Sequence, residues 1–137
     1  MQDFCSNLQC LGFNESCGGV VTESLIDFPG NGSRHSSYSN YMNCKWIISR
    51  NYSYMLKFHK FDLEDSEGCR YDYLQLGAGG SKKCGNRIPD DVFVPRTIDL
   101  IFHSDHNVAG GGFKIQIIKD ERGMLLLNHS DFIFVVC

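Results

Sequence analysis

The stretch that decides the fold lies near the middle of the chain and reads YMLKFHKF at residues 54–61. Its apolar residues Leu56 and Phe58 alternate with charged residues such as Lys57. A period of two residues is typical of a β-strand that has one face in a core and the other in solvent. The pattern returns in IDLIFH at residues 98–103 and in FKIQI at residues 113–117.

Two more strands are predicted on either side of residues 54–61. They are WII at residues 46–48 and YDYLQL at residues 71–76. Glycine-rich segments at residues 77–80 and 110–112 provide turns between strands. No window of eleven or more residues before residue 118 carries a convincing helical period. Short strands separated by turn signals predict an all-β domain folded as a β-sandwich.

The length and charge of the chain limit what the domain does. A chain of 137 residues, of which 42% are hydrophobic, is sufficient for one domain with a packed core. There are 13 basic residues against 16 acidic ones, which gives a formal net charge of −3. Because no basic excess is available to hold a phosphate backbone, nucleic acid is excluded as the expected partner.

The cysteines and glycosylation sequons indicate the compartment. The chain contains Cys5, Cys10, Cys17, Cys44, Cys69, Cys84 and Cys137, and none of them forms a Cys-x-x-Cys pair. Such wide spacing is typical of disulfides formed in an oxidising compartment, although spacing alone leaves their pairing open. Asn-x-Ser sequons at Asn14, Asn31, Asn51 and Asn128 predict N-glycosylation. We therefore expect a secreted protein or one on the extracellular face of the cell surface.

The two ends of the chain are interpreted separately from the domain. Residues 1–16 are read as a lead-in or the end of a neighbouring module, residues 17–119 as the domain, and residues 120–137 as a tail without an assigned role. The first residues lack the pattern of a signal peptide, so the chain is expected to be part of a larger multidomain protein. The apolar tail is too short and too interrupted to span a membrane.

Seven short motifs carry a family resemblance. They are CGG at 17–19, CKW at 44–46, FDLE at 61–64, CRYDYL at 69–74, CG at 84–85, FHSD at 102–105 and GF at 112–113. In their order and spacing the chain resembles a CUB domain from Cys17 to about Ile118. The resemblance implies an extracellular antiparallel β-sandwich of the jelly-roll kind. It also implies two internal disulfides, Cys17–Cys44 and Cys69–Cys84.

The same resemblance implies a calcium site. Carried over position by position, the ligands are the side chains of Glu64, Asp72 and Asp105 and the main-chain carbonyl of Asn107, with Tyr38 bracing them. Calcium prefers six to eight oxygen ligands, and a divalent cation relieves the repulsion between crowded carboxylates. The position after Asn107, where the family often has an asparagine ligand, is Val108 here. The nearby acids Asp62, Asp65 and Glu67 are interpreted as a solvated loop face.

These residues lead to a prediction of function. CUB domains with such a site use the calcium-held acids to recruit a lysine or arginine of another protein, and the resemblance implies the same role here. The expected partner-binding residues are Glu64, Asp72, Asp105, His106 and Asn107. The chain is accordingly predicted to be a non-catalytic protein-interaction module.

Two other functions compete with this interpretation. The run His103–His106 contains a serine, an aspartate and two histidines, but no Gly-x-Ser-x-Gly elbow and no third zinc ligand accompany it, so an enzyme is not expected. Alternatively, some small CUB proteins, the spermadhesins, bind glycans and heparin-like chains. Lys82, Lys83 and Arg87 form the basic cluster that could do so.

Overall fold

The computed structural model describes residues 17–30 and 37–121, and these residues form nine β-strands. The strands are β1 (Gly19–Val21), β2 (Leu25–Phe28), β3 (Asn43–Ser49), β4 (Tyr54–Asp62), β5 (Tyr73–Leu76), β6 (Lys82–Lys83), β7 (Val92–Val94), β8 (Thr97–His103) and β9 (Gly112–Lys119). A single 3₁₀ turn at Glu67–Cys69 is the only helical element in the described residues.

The strands form two sheets that enclose one core. One sheet has the order β1-β3-β8-β5-β6 and the other the order β2-β9-β4-β7. All pairings are antiparallel except that of β1 with β3, which is parallel and adds one exception to the predicted antiparallel arrangement. The prediction of a disulfide-linked β-sandwich is confirmed.

Aromatic rings from both sheets meet at the centre of the sandwich. The ring of Phe28 in β2 lies 5.3 Å from Trp46 in β3, 5.0 Å from Phe102 in β8 and 5.3 Å from Phe113 in β9, centroid to centroid. All four side chains are buried. Aromatic side chains bury large apolar areas, so this cluster provides much of the burial that holds the two sheets together.

A β-bulge in β4 changes which residues face the core. Phe58 pairs with Ile115 and Lys60 pairs with Lys114, so His59 is the extra residue. Before the bulge the even-numbered residues of β4 are buried, whereas after it Phe61 and Leu63 are buried. Since a strand alternates its side chains between two faces, the extra residue turns Glu64 away from the core face.

Two disulfides join residues that are distant in the sequence. Cys17 is bonded to Cys44 with a Cα–Cα distance of 5.4 Å, and Cys69 to Cys84 with a distance of 5.5 Å. Both bonds are those implied by the family resemblance. The second closes a loop that contains β5, β6 and one of the predicted calcium ligands, Asp72.

The structure corrects some strand assignments. The strand predicted at residues 71–76 begins only at Tyr73, because Asp72 lies in the preceding loop and accepts hydrogen bonds with its side chain. Strands β1, β2, β6 and β7 were not predicted, since two to four residues are too few to show a period. Lys82 and Lys83, two members of the predicted basic cluster, form β6.

The strand directions place the predicted site at one end of the sandwich. Strand β4 ends just before Glu64, β8 ends just before Asp105, and β5 begins just after Asp72. Asn43, the first residue of β3, pairs with His103 at this same end. Residues 50–53 connect β3 to β4 at the opposite end, about 20 Å away along the seven residues of β3.

Candidate metal centre

Three acidic side chains from three separate loops converge at this end. One ligand oxygen from each of Glu64, Asp72 and Asp105 can be chosen so that all three atoms lie within 4.8 Å of one another. Glu64 is positioned by the neighbouring Leu63, whose backbone N–H donates to the carbonyl of Gly85 at 2.9 Å. The structure therefore brings together the three acids that the resemblance singled out.

Tyr38 and the backbone fix the orientation of these acids. The Tyr38 hydroxyl donates to Asp72 Oδ2 at 2.7 Å and accepts a hydrogen bond from the Glu64 backbone N–H at 3.1 Å. The backbone N–H of Asp105 donates to the other oxygen, Asp72 Oδ1, at 2.9 Å. Asp72 is fully buried, so both of its oxygens need such donors.

Burial and mutual repulsion disfavour the charged forms of the acids in the absence of a cation. The pKa of Glu64 is raised first by desolvation and then by the charges of Asp105 and Asp72. Desolvation also raises the pKa of Asp72, against the lowering effect of hydrogen bonds from Tyr38 and from the Asp105 backbone. Burial and the Asp72 hydrogen bond likewise raise the pKa of the Tyr38 hydroxyl. A positive ion at this point would reverse the effect for the carboxylates.

One oxygen of the cluster lacks a partner. Glu64 Oε1 is shielded from solvent and accepts no hydrogen bond within residues 17–30 and 37–121. A buried carboxylate oxygen without a donor is costly unless a cation is bound. Two oxygens that share one Ca²⁺ at its usual bond lengths lie at most about 5.2 Å apart, and the observed separation fits within this limit. The donor set therefore fits calcium.

Ser104 is the residue of this region whose role the sequence reasoning missed. Its Oγ donates to the Ser39 carbonyl at 2.7 Å and accepts from the Met42 backbone N–H at 2.9 Å. The side chain is buried and joins the loop before β3 to the loop after β8. It continues the buried alternation of Leu100 and Phe102, a signal that was present in the sequence. Its hydroxyl is engaged in holding these loops rather than poised as a nucleophile.

The other residues predicted for this region lie at its edge. His106 and Asn107 are exposed; the Asn107 backbone N–H donates to Asp105 Oδ1 at 3.3 Å, and His106 Nδ1 lies 3.9 Å from Asp105 Oδ2. The carbonyl of Asn107 as a calcium ligand stays a prediction. His103, considered with His106 as a zinc pair, instead has its Nδ1 2.8 Å from Asn43 Oδ1 and its ring stacked on Tyr73.

The basic cluster considered for glycan binding is divided by the strand geometry. Lys82 and Lys83 are successive residues of β6, and successive side chains of a strand point to opposite faces. Lys82 Nζ lies 4.2 Å from the centroid of the Tyr73 ring. Lys83 lines a surface cavity together with Arg87 and the acidic Asp90.

Several predictions fall partly or wholly outside the described residues. Of the four sequons only Asn51 is described, and it is exposed in the turn between β3 and β4. Asn14, Asn31 and Asn128 lie outside, as do Cys5, Cys10 and Cys137. Within the described ranges, no helix is long and apolar enough to cross a bilayer.

Two known proteins have sequences related to this chain over part of their own length. The human tumor necrosis factor-inducible gene 6 protein is 34% identical over 115 residues, which are 76% of this chain and 41% of the relative. Rat cubilin is 38% identical over 89 residues, which are 58% of this chain and 2% of cubilin. The chain thus spans less than half the length of these curated relatives.

Solved structures show the same fold. The CUB2 domain of MASP-1, solved bound to Ca²⁺, is 23% identical with a TM-score of 0.62, and the match covers 74% of this chain and 98% of that domain. The extracellular region of zebrafish Gpr126 is 26% identical with a TM-score of 0.62, covering 76% of this chain and 15% of that one. The family model described as CUB domain matches residues 17–117, which is most of the chain. This chain belongs to the CUB domain family.

Proposed function

We propose that this chain is a non-catalytic extracellular interaction module that binds Ca²⁺ through Glu64, Asp72 and Asp105. The calcium-held acids would then engage a lysine or arginine of a partner protein. The observation that carries the proposal is the buried, unpartnered Oε1 of Glu64 within a group of three convergent carboxylates. In homologues the CUB domain is an extracellular protein-interaction module.

Calcium would supply the positive charge that this arrangement of acids lacks. The residues that would hold it are Glu64, Asp72 and Asp105, and the Asn107 carbonyl would add an oxygen. Tyr38 would keep Asp72 and the Glu64 backbone in position through the two hydrogen bonds of its hydroxyl. Since the three acids belong to three different loops, ion binding and the order of these loops are coupled.

The partner contact follows from the charges that remain on the acids. Three carboxylates carry more negative charge than one divalent cation neutralises, and the edge of the cluster faces solvent at Asp105, His106 and Asn107. A lysine ammonium can donate charge-assisted hydrogen bonds to such carboxylate oxygens. Contacts of this kind, once shielded from water, reach the strength of a binding hot spot, about 2 kcal/mol or more.

We also propose that the chain lies outside the cell and belongs to a larger multidomain protein. The two disulfides fit an oxidising compartment. The exposed Asn51 is accessible for glycosylation. The matched region is 41% or less of the two relatives described above, and 11% of human Tolloid-like protein 1.

The calcium site is tested by isothermal titration of Ca²⁺ into the chain. We expect one site in the wild type and at least an approximately tenfold weaker dissociation constant for Asp105→Ala and Glu64→Gln, because each variant removes a charged ligand. Glu67→Gln is the matched control, since Glu67 is an exposed glutamate of the same loop. Equal affinities for Glu64→Gln and Glu67→Gln would refute the site.

The partner contact is tested with phage-displayed peptides that carry a fixed central lysine. We expect the chain to enrich these peptides in calcium, and not in the presence of a chelator. A matched library with glutamine at the centre is the control. Equal enrichment of both libraries, or binding that the chelator leaves unchanged, would show that the acids do not recruit a basic residue.

A further inference from the structure

Two large apolar side chains are exposed beside the acidic cluster. Tyr41 is 72% exposed and Val108 is 58% exposed, so neither belongs to the core. Tyr41 precedes β3 and Val108 lies in the loop after β8. Both loops also contribute residues to the metal centre, Tyr38 from the first and Asp105 from the second.

Backbone hydrogen bonds join the segment that carries Tyr41 to the segment that carries Val108. The Tyr41 backbone N–H donates to the Asp105 carbonyl at 2.9 Å, and the Tyr38 backbone N–H donates to the Gly110 carbonyl at 3.1 Å. Residues 38–41 and 105–110 therefore run side by side. Val108 lies in the part of the second segment between the two contacts, and Tyr41 lies at the end next to Asp105.

Both residues also adopt an uncommon backbone conformation. The φ angle is +61° at Tyr41 and +56° at Val108. This left-handed region suits glycine and asparagine and is rare for a β-branched residue such as valine. A bulky apolar side chain at either position is unfavourable both for the backbone and for its exposure to water. Strained residues of this kind cluster at binding sites, where a ligand makes use of them.

We propose that Tyr41 and Val108 form an apolar rim beside the acidic cluster, and that the rim binds apolar side chains adjacent to the partner's basic residue. This inference rests on the proposed function. The occupant is a protein segment in which a lysine or arginine is flanked by apolar residues: its charge complements the three acids and its flanks cover Tyr41 and Val108. Covering the rim excludes water from the charged contact, which strengthens it.

An apolar rim would distinguish this site from one that binds its partner through charges alone. At the position of Val108 an asparagine would tolerate the left-handed backbone and would carry a side-chain oxygen. Valine supplies no oxygen and presents two methyl groups to solvent instead. Val108 therefore affects which partner segments the site binds, and not how the site holds the ion.

The experiment uses the phage library with a fixed central lysine and random flanking positions, selected in saturating calcium. Wild type should enrich apolar residues next to the lysine by about fivefold or more over the unselected library, the scale expected for partial burial of one apolar side chain. The variant Tyr41→Ser/Val108→Gly should still require the lysine and calcium but lose the preference for apolar flanks. Tyr52→Ser/Val20→Gly, with the same changes at exposed positions away from the acidic cluster, should select like the wild type.

A second variant, Val108→Asn, removes the apolar side chain and should keep the fold, because asparagine tolerates the left-handed backbone. It should bind calcium at least as tightly as the wild type and select fewer apolar flanks. Identical flanking preferences in the wild type and both rim variants, or polar flanks selected by the wild type, would overturn the rim. Loss of the lysine requirement in the wild type would instead refute the proposed function, and the rim with it.

Discussion

The hydroxyl of Tyr38 lies 2.7 Å from Oδ2 of Asp72, although the two residues are separated by 34 positions in the sequence. The same hydroxyl oxygen accepts the backbone N–H of Glu64 at 3.1 Å. One buried side chain thus connects the loop before β3 to two of the three loops that bear acids. The geometry of the acidic cluster therefore depends on Tyr38, which is not one of its three carboxylates.

Replacing Tyr38 with phenylalanine should weaken both folding and calcium binding. The change leaves Asp72 Oδ2 and the Glu64 backbone N–H without their partner, which costs about 1–3 kcal/mol in the free energy of unfolding. Residues that orient metal ligands typically change metal affinity by about 10–100-fold when removed, and we expect a loss in this range. Urea denaturation in a chelator and calcium titration measure the two effects.

Tyr54→Phe is the matched control for this change. The Tyr54 hydroxyl is also buried, and it donates to the Arg96 carbonyl at 3.0 Å, at the opposite end of the sandwich from the acids. Its loss should lower the free energy of unfolding by about 1 kcal/mol and leave the calcium affinity unchanged. If both variants lowered the calcium affinity equally, Tyr38 would have no special role at the site.

In the ion-free chain, the contribution of Glu64 and Asp72 to the free energy of unfolding should rise as the pH falls from neutral toward 4.5. Burial and neighbouring charges raise the pKa values of Glu64 and Asp72 above their ordinary values of 4.5 and 3.8. In this interval the folded chain holds protons that the unfolded chain has released, so acidification favours folding. Calcium binds the ionised carboxylates. In saturating calcium the contribution of these groups to the free energy of unfolding should therefore fall, rather than rise, as the pH falls.

Thermal denaturation of the wild type and Glu64→Gln, each with a chelator and with calcium, isolates this contribution. In the chelator the melting temperature of the wild type relative to Glu64→Gln should rise as the pH falls. In saturating calcium the melting temperature of the wild type relative to Glu64→Gln should instead fall as the pH falls over the same range. A difference that is independent of pH in the chelator would contradict the raised pKa of Glu64.

Two isoleucines of β9 test the assignment of its buried face. Ile115 is fully buried, whereas Ile118 is 38% exposed on the other face. Ile115→Ala should lower the free energy of unfolding by about 2–5 kcal/mol, and Ile118→Ala by less than about 1 kcal/mol. Urea denaturation of both variants measures the difference. Equal losses would mean that β9 does not present alternate faces to core and solvent.

The longer strands could be predicted from the sequence because alternation over five or more residues has one physical interpretation. Residues 54–58, 98–103 and 113–117 lie in β4, β8 and β9. The parallel pairing of β1 with β3 and the bulge at His59 left no local signal, since both depend on contacts between distant strands. The bulge matters for function because it sets the face on which Glu64 emerges.

The candidate metal centre could be predicted only in part from the sequence. Acids at strand ends indicated a charged tip, but their convergence on one point was inferred from the family resemblance, because sequence spacing does not report distances between loops. Ser104 continued a visible alternation and could have been placed in the core. The exposed Tyr41 gave no signal, since its left-handed backbone and its contact with Asp105 exist only in the folded chain.

The glycan predicted at Asn51 should be compatible with partner binding. Asn51 is exposed in the turn between β3 and β4, at the end of the sandwich opposite the three acids. A glycan there would lie about 20 Å from the metal centre along β3.

In material secreted from animal cells, Asn51→Gln should remove one glycan, seen as a shift in intact mass, and leave calcium affinity and the selection of lysine peptides unchanged. Ser53→Ala should give the same mass shift because it destroys the same sequon. An unmodified Asn51 would contradict the glycosylation, and a change in peptide selection would contradict the placement of the binding surface at the acidic end.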